Sequence, residues 1–130
     1  MLYFDDWQNE YSKLIDLIAK TLRPEQIAWI SLGSLRFTPG LKKIVNDRFP
    51  KSKIMSGELY PSSDGKIRYF KPIREEMYQF LTKNIEAKLE QAPYYLCMET
   101  KSVWQNTLGN VPAHNGVLEK KLAAQFRFPV

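Results

Sequence analysis

Thiols and imidazoles are almost missing from this chain of 130 residues, which carries one cysteine, Cys97, and one histidine, His114. A single thiol excludes an intramolecular disulfide framework and fits a reducing compartment. The histidine, in Pro-Ala-His-Asn-Gly, has no companion at metal-ligand spacing, so no zinc site can be read around it. No apolar run reaches the roughly 20 residues that a membrane-spanning helix needs. The opening MLYFDDWQNEY is acidic and aromatic, unlike a secretory or organellar leader. There is no glycine-rich phosphate loop and no defensible Ser-His-Asp arrangement. These absences point to a cytoplasmic protein with no membrane partner.

What is present describes a folded chain. A hydrophobic content of 44% with 13% aromatics is too high for disorder, and the length suits one domain with a real core. The net charge of +5 is unevenly spread. Between Arg36 and Arg74 lie ten Lys or Arg against Asp47, Glu58 and Asp64, giving that window +7 and leaving −2 for the rest. Concentrated basic charge is the footprint expected for a polyanionic partner, and it is also what a solvated basic surface looks like.

The pattern along the chain alternates between helix and strand. Trp7, Tyr11, Leu14, Leu17/Ile18 and Leu22 recur at helical spacing, with Asp6 as the expected N-cap; capping explains Asp5 and Asp6 better than a catalytic carboxylate pair. Arg23-Pro24 closes that helix, and residues 26–32 (QIAWISL) read as a buried, parallel-type strand. Pro39 opens a basic helix over roughly 40–48. Residues 54–71 read as a hairpin turning at Ser63-Asp64-Gly65. Pro72 suits the first turn of a helix whose apolar stripe is Ile73, Met77, Phe80/Leu81, Ile85 and Leu89. A second buried strand follows at Tyr94–Met98, then a short helix over Ser102–Leu108 ending at Gly109, the loop NVPAHNG, and an amphipathic segment over Val117–Gln125. This is an α/β order with only two strong core strands, whose unpaired edges and incomplete core suggest part of something larger.

Within the hairpin, GELYPSSDGKIRYFKP, strand alternation puts Lys66, Arg68 and Phe70 on one face and Ile67, Tyr69 and Lys71 on the other. Both faces thus mix basic and aromatic groups, as suits an arm that neutralises phosphates and stacks on bases. The alternative is that Tyr69 and Phe70 pack on the body of the protein while the lysines are solvated. Arg36, after the first strand, can meet a phosphate or a salt-bridge partner. Ser31, Gly33 and Ser34 sit at the same strand end, the side that carries active sites in barrels and open α/β sheets. Glu99, just past the second strand, can face that mouth or belong to the first turn of the following helix.

Four segments, YFDDWQNEY, WISLGSLRFTPGLKKIV, KSKIMSGELYPSSDGKIRYFKPIREEMY and YLCMETKSVW, resemble in collinear order the C-terminal part of the spore photoproduct lyase family. These are radical S-adenosylmethionine enzymes that repair thymine-dimer lesions in DNA. The resemblance covers residues 1 to about 109, including the hairpin, and leaves 110–130 as a loop and C-terminal tail. It implies a partial (β/α) barrel of which this chain supplies the later strands and helices. It also implies DNA contact by the hairpin, with Gly65, Lys66 and Tyr69 matching the family's Gly-Lys-aromatic-x-Tyr pattern and Arg36 a basic strand-end position. Arg68 and Lys71 extend that DNA-binding set. The family's CxxxCxxC motif holds a 4Fe-4S cluster and S-adenosylmethionine; this chain has only Cys97, read as a small core residue. No cofactor is therefore expected for this chain alone, nor the family's reaction. The expected partners are DNA and either a cluster-bearing protein or a second copy covering the open barrel edges. A stand-alone nucleic-acid-binding module, or an inactive remnant that self-associates, are the other readings.

Overall fold

The computed structural model describes residues 1–90, 92–112 and 115–124, and His114, Gln125 and the terminal Phe126-Arg127-Phe128 lie outside them. Among the described residues the fold is mixed α/β, with five α-helices and two small sheets and no closed barrel. Helix α1 is Trp7–Thr21, followed by a 3-10 turn at Pro24–Gln26 and strands β1 (Ile30–Leu32) and β2 (Arg36–Phe37). Helix α2 (Pro39–Arg48) leads to β3 (Leu59–Pro61), β4 (Ile67–Tyr69) and the long α3 (Lys71–Lys88). Strand β5 (Tyr94–Leu96), α4 (Lys101–Leu108) and α5 (Asn115–Ala123) complete it.

The two strands expected to be parallel do pair, β1 with β5, matching Ile30 to Tyr94, Ser31 to Tyr95 and Leu32 to Leu96. Both are shorter than the apolar runs suggested. Pro24 starts a 3-10 turn that consumes Gln26, and Met98 turns to a left-handed φ of 58°. Leu32 and Leu96 point into the main core, where they meet Ile15 of α1, Tyr78, Leu81 and Ile85 of α3, and Val103 of α4. Ser31 and Tyr95 point the other way, Ser31 exposed and Tyr95 half-buried. Gly33 and Cys97 continue that second face, a Cβ on Gly33 standing 3.8 Å from the Cys97 Cβ. Parallel sheets are ordinarily covered on both faces, and the helices that bury Leu32 and Leu96 serve one.

Helix α1 shows how a period is misjudged by one position. Trp7 and Ile15 are buried and Tyr11 and Ile18 half-buried, while Leu14 and Leu17 are exposed, so the working stripe is 7-11-15-18. Asp6 holds the N-cap position, but its side chain makes no capping bond. It adopts φ 65°, and its carboxylate accepts from Asn9 Nδ2 at 2.9 Å instead of from a backbone N–H. By contrast Thr100 caps α4, its Oγ1 accepting from the Val103 N–H at 3.4 Å, and Gly109 ends that helix at φ 68°.

The hairpin is real but smaller than residues 54–71, and it is not a free arm. Leu59–Pro61 pairs antiparallel with Ile67–Tyr69, and Arg36–Phe37, which reads in the sequence as a strand exit, adds a third strand on the other side. Strand β4 is therefore central, which buries what a two-stranded arm would display. The turn is closed by Ser62 N–H to Lys66 O at 2.8 Å, with Gly65 at φ 72°. Helix α2 buries no residue: Leu41, Ile44 and the following Phe49 are all exposed.

Packing of this kind separates two leucine-sized truncations. Leu96→Ala, at a site 2% exposed, is expected to cost about 2–5 kcal/mol in urea unfolding, and Ile44→Ala, 50% exposed, at most about 0.5 kcal/mol. Equal losses would mean that α2 packs against the body after all.

Candidate functional site

Two groups of side chains converge at the carboxyl ends of β1 and β5. The first is centred on Glu99, whose side chain is 1% exposed. Its Oε1 accepts from Arg74 Nε at 3.1 Å and from the Tyr78 hydroxyl at 2.9 Å, and its Oε2 accepts from the Thr100 N–H at 3.3 Å. Tyr78 in turn accepts from the Ser34 N–H at 3.0 Å, and Arg74 Nη1 donates to the Tyr69 carbonyl. Glu99 faces inward from the residue just before the α4 cap, outside the first turn of that helix. Of the strand-end residues, Ser34 belongs to this region, whereas Ser31, which is exposed, and Gly33, which is half-buried, stand on the opposite sheet face.

Tyr78 and Arg74 carry no mark in the aliphatic stripe of α3, yet they are its most consequential positions. With Thr82 they form a second stripe, 74-78-82, at four-residue spacing, and all three are buried. Burial, and then the neighbouring Glu99 carboxylate, push the Tyr78 phenol well above its ordinary value. It is a neutral donor here.

The second group is the hairpin, and the structure corrects what its residues do. Arg68 is 5% exposed; Nη1 donates to the Met98 carbonyl at 2.7 Å and Nη2 binds the Asp64 carboxylate. Tyr69 is 2% exposed in the second core beside Trp7 and Met77, its hydroxyl accepting from the Tyr3 N–H at 3.1 Å. Gly57 lies against that ring so closely that a Cβ would come to 2.9 Å of Cε1. In this fold Tyr69 lies in the core and the terminal nitrogens of Arg68 are committed to Met98 and Asp64, so neither is a free group on an arm: β4, as the central strand, has one face on the core, and on the other Arg68 meets the segment leaving β5. Lys71 remains accessible, 3.6 Å from Glu75.

The free charge lies elsewhere. Of the ten basic residues in the 36–74 window, Arg68, Lys71 and Arg74 have carboxylate partners, leaving seven with no ion pair among the described residues. Those are Arg36 and Lys66, both half-buried, and Lys42, Lys43, Arg48, Lys51 and Lys53, all exposed. On the same hairpin, Tyr60 and Phe70 form a tilted ring pair with centroids 5.3 Å apart, 53% and 47% exposed. Phe70 shares the Lys66 face by alternation, and Tyr60, in register with Arg68, shares it too.

No protein-family model, curated protein or solved structure matches the chain. The resemblance is therefore carried by the four quoted segments alone. The donor set does not fit the family's iron–sulfur cluster, which requires several thiolates. Cys97 is the one thiol, half-buried at the end of β5, and among the described residues no three Cys, His, Asp or Glu side chains converge.

Two outcomes test the Glu99 cluster. Arg74→Met leaves a buried carboxylate without its cation and is expected to cost about 3–5 kcal/mol by urea denaturation; a loss under about 1 kcal/mol would mean that the pair is solvated. Because folding raises the Tyr78 pKa, its contribution to stability is complete below the ordinary phenol value of about 10 and drains away as pH rises above it. Tyr78→Phe should flatten the alkaline decline of the urea midpoint, and an unchanged decline would assign it to other groups.

Proposed function

We propose that this chain is the C-terminal segment of a spore photoproduct lyase-like DNA repair protein, contributing DNA contacts through the outer face of its hairpin while a cluster-bearing partner supplies the radical chemistry. The observation that carries the DNA contact is the exposed Tyr60–Phe70 ring pair on the strand face that Lys66 shares by alternation, Lys66 having no ion pair among the described residues. A ring pair open to solvent offers a stacking platform worth about 1–3 kcal/mol per base, and an unpaired lysine offers a phosphate partner. The barrel-segment part is supported by the second face of the β1–β5 pair, where among the described residues Ser31 is exposed and Gly33, Tyr95 and Cys97 are only half-buried, whereas a parallel sheet is ordinarily covered on both sides. The five exposed cations at 42–53, without ion pairs among the described residues, favour a second reading, a stand-alone nucleic-acid-binding module.

Fluorescence anisotropy of a labelled single strand and a duplex, at low and moderate salt, tests the contact. Binding should weaken with salt, and Lys66→Glu/Phe70→Ala should weaken it about tenfold or more and make the salt slope shallower by about 1. No binding at low salt would make the hairpin scaffold here. Addition of a cluster-bearing partner should restore S-adenosylmethionine cleavage, and a well-formed complex that stayed inert would remove the catalytic part of the proposal.

A further inference from the structure

A small cavity of about 270 Å³ lies between the hairpin turn and the start of α4, with Arg36 and Arg68 in its wall, Ser62 and Ser63 on the turn side and Thr100 opposite. Arg36 and Arg68 are cross-strand partners, so both guanidinium groups spring from the same face of the sheet. Like charges placed this way are unfavourable unless something negative lies between or beside them. Two carboxylates also line the cavity, and both are committed. Asp64 binds Arg68 and accepts from the Lys66 N–H at 3.1 Å, and Glu99 is held by Arg74 and Tyr78. Arg36 is left with no ion pair among the described residues. Arg68 Nε is buried and makes no hydrogen bond among them, a costly state for a charged donor. The hydroxyls of Ser62, Ser63 and Thr100 and the positive end of α4 stand around the same space.

The geometry points to a binding site for a phosphate group in this cavity, with Arg36 as the principal cation, Arg68 Nε and the turn serines as donors, and Thr100 at the far wall. Arginine suits the planar, forked contact that a phosphate accepts. The volume admits the group with several waters, each of which takes about 30 Å³. The site would take either a free phosphate compound or a backbone phosphodiester, and it does not depend on the hairpin stacking described above.

The test is an NMR titration of the whole 15N-labelled chain with inorganic phosphate and, separately, with an oligothymidylate. The amides of Ser63 and Thr100 and the Nε–H of Arg68 should shift and saturate. Arg36→Gln, at a position with no ion-pair partner among the described residues, should weaken binding at least tenfold. Ser63→Ala, on the exposed turn, should weaken it by a smaller factor and guards against a folding defect in the first variant. Saturation by inorganic phosphate with no gain from the oligonucleotide assigns a free phosphate ligand, and tighter binding of the oligonucleotide assigns a phosphodiester. Shifts that stay linear with both ligands, or an affinity unchanged by Arg36→Gln, overturn the site. Phosphate saturation that survives in Lys66→Glu/Phe70→Ala while DNA binding does not leaves this site standing apart from the hairpin reading.

Discussion

The interaction on which the strand-end region depends is the burial of the Glu99 carboxylate. One oxygen takes the Arg74 guanidinium and the Tyr78 hydroxyl, and through Tyr78 the same group fixes the backbone at Ser34. Glu99 follows β5, Ser34 follows β1, and Arg74 and Tyr78 belong to α3, so one carboxylate links both strand ends to the crossover helix. Arg74 extends the link to the Tyr69 carbonyl, bringing in the second sheet. A charge held this far from water is tolerable only because each of its neighbours is a donor. The consequence is a rigid platform from which the residues after β1 and β5 project.

That platform decides which basic residues remain available. The arginines nearest to it, Arg68 and Arg74, are drawn inward to carboxylates and carbonyls, because a buried sheet junction has acceptors to satisfy and arginine has the reach and the donors to do so. Residues without such a junction keep their charge in solvent, as along α2, which buries nothing. Positive charge counted along the sequence therefore overstates what a polyanion would meet at the hairpin and misses where the surplus lies. Arg36 stands between these situations: half-buried beside Arg68, yet without a carboxylate of its own among the described residues.

The two sheets differ in completeness. The antiparallel sheet has a central strand flanked on both sides, with Phe37 and Tyr69 buried on its inner side. The parallel pair has β1 and β5 as its whole extent among the described residues, and only one of its faces meets the helical core. Side chains on the other face are small or polar, Ser31, Gly33 and Cys97 with Tyr95, which leaves room for neighbouring structure to pack closely.

Local pattern was enough to find the helices around 7–21, 39–48, 71–88 and 101–108, the two parallel strands and the turn at Asp64-Gly65, because periodicity, proline at a helix start and glycine at positive φ act over a few residues. It could not find β2, since two residues become a strand only by pairing with β4, nor tell that Leu14 faces solvent while Ile15 does not. It assigned Arg68 and Tyr69 to a displayed face because alternation identifies which residues share a face and is silent on what covers that face. The 74-78-82 stripe was present as spacing but had no meaning until Glu99 arrived from another strand. Contacts such as these join residues 21 or more positions apart in the chain, as Tyr78 and Glu99 are, and are set by how the elements stack and not by what each prefers alone.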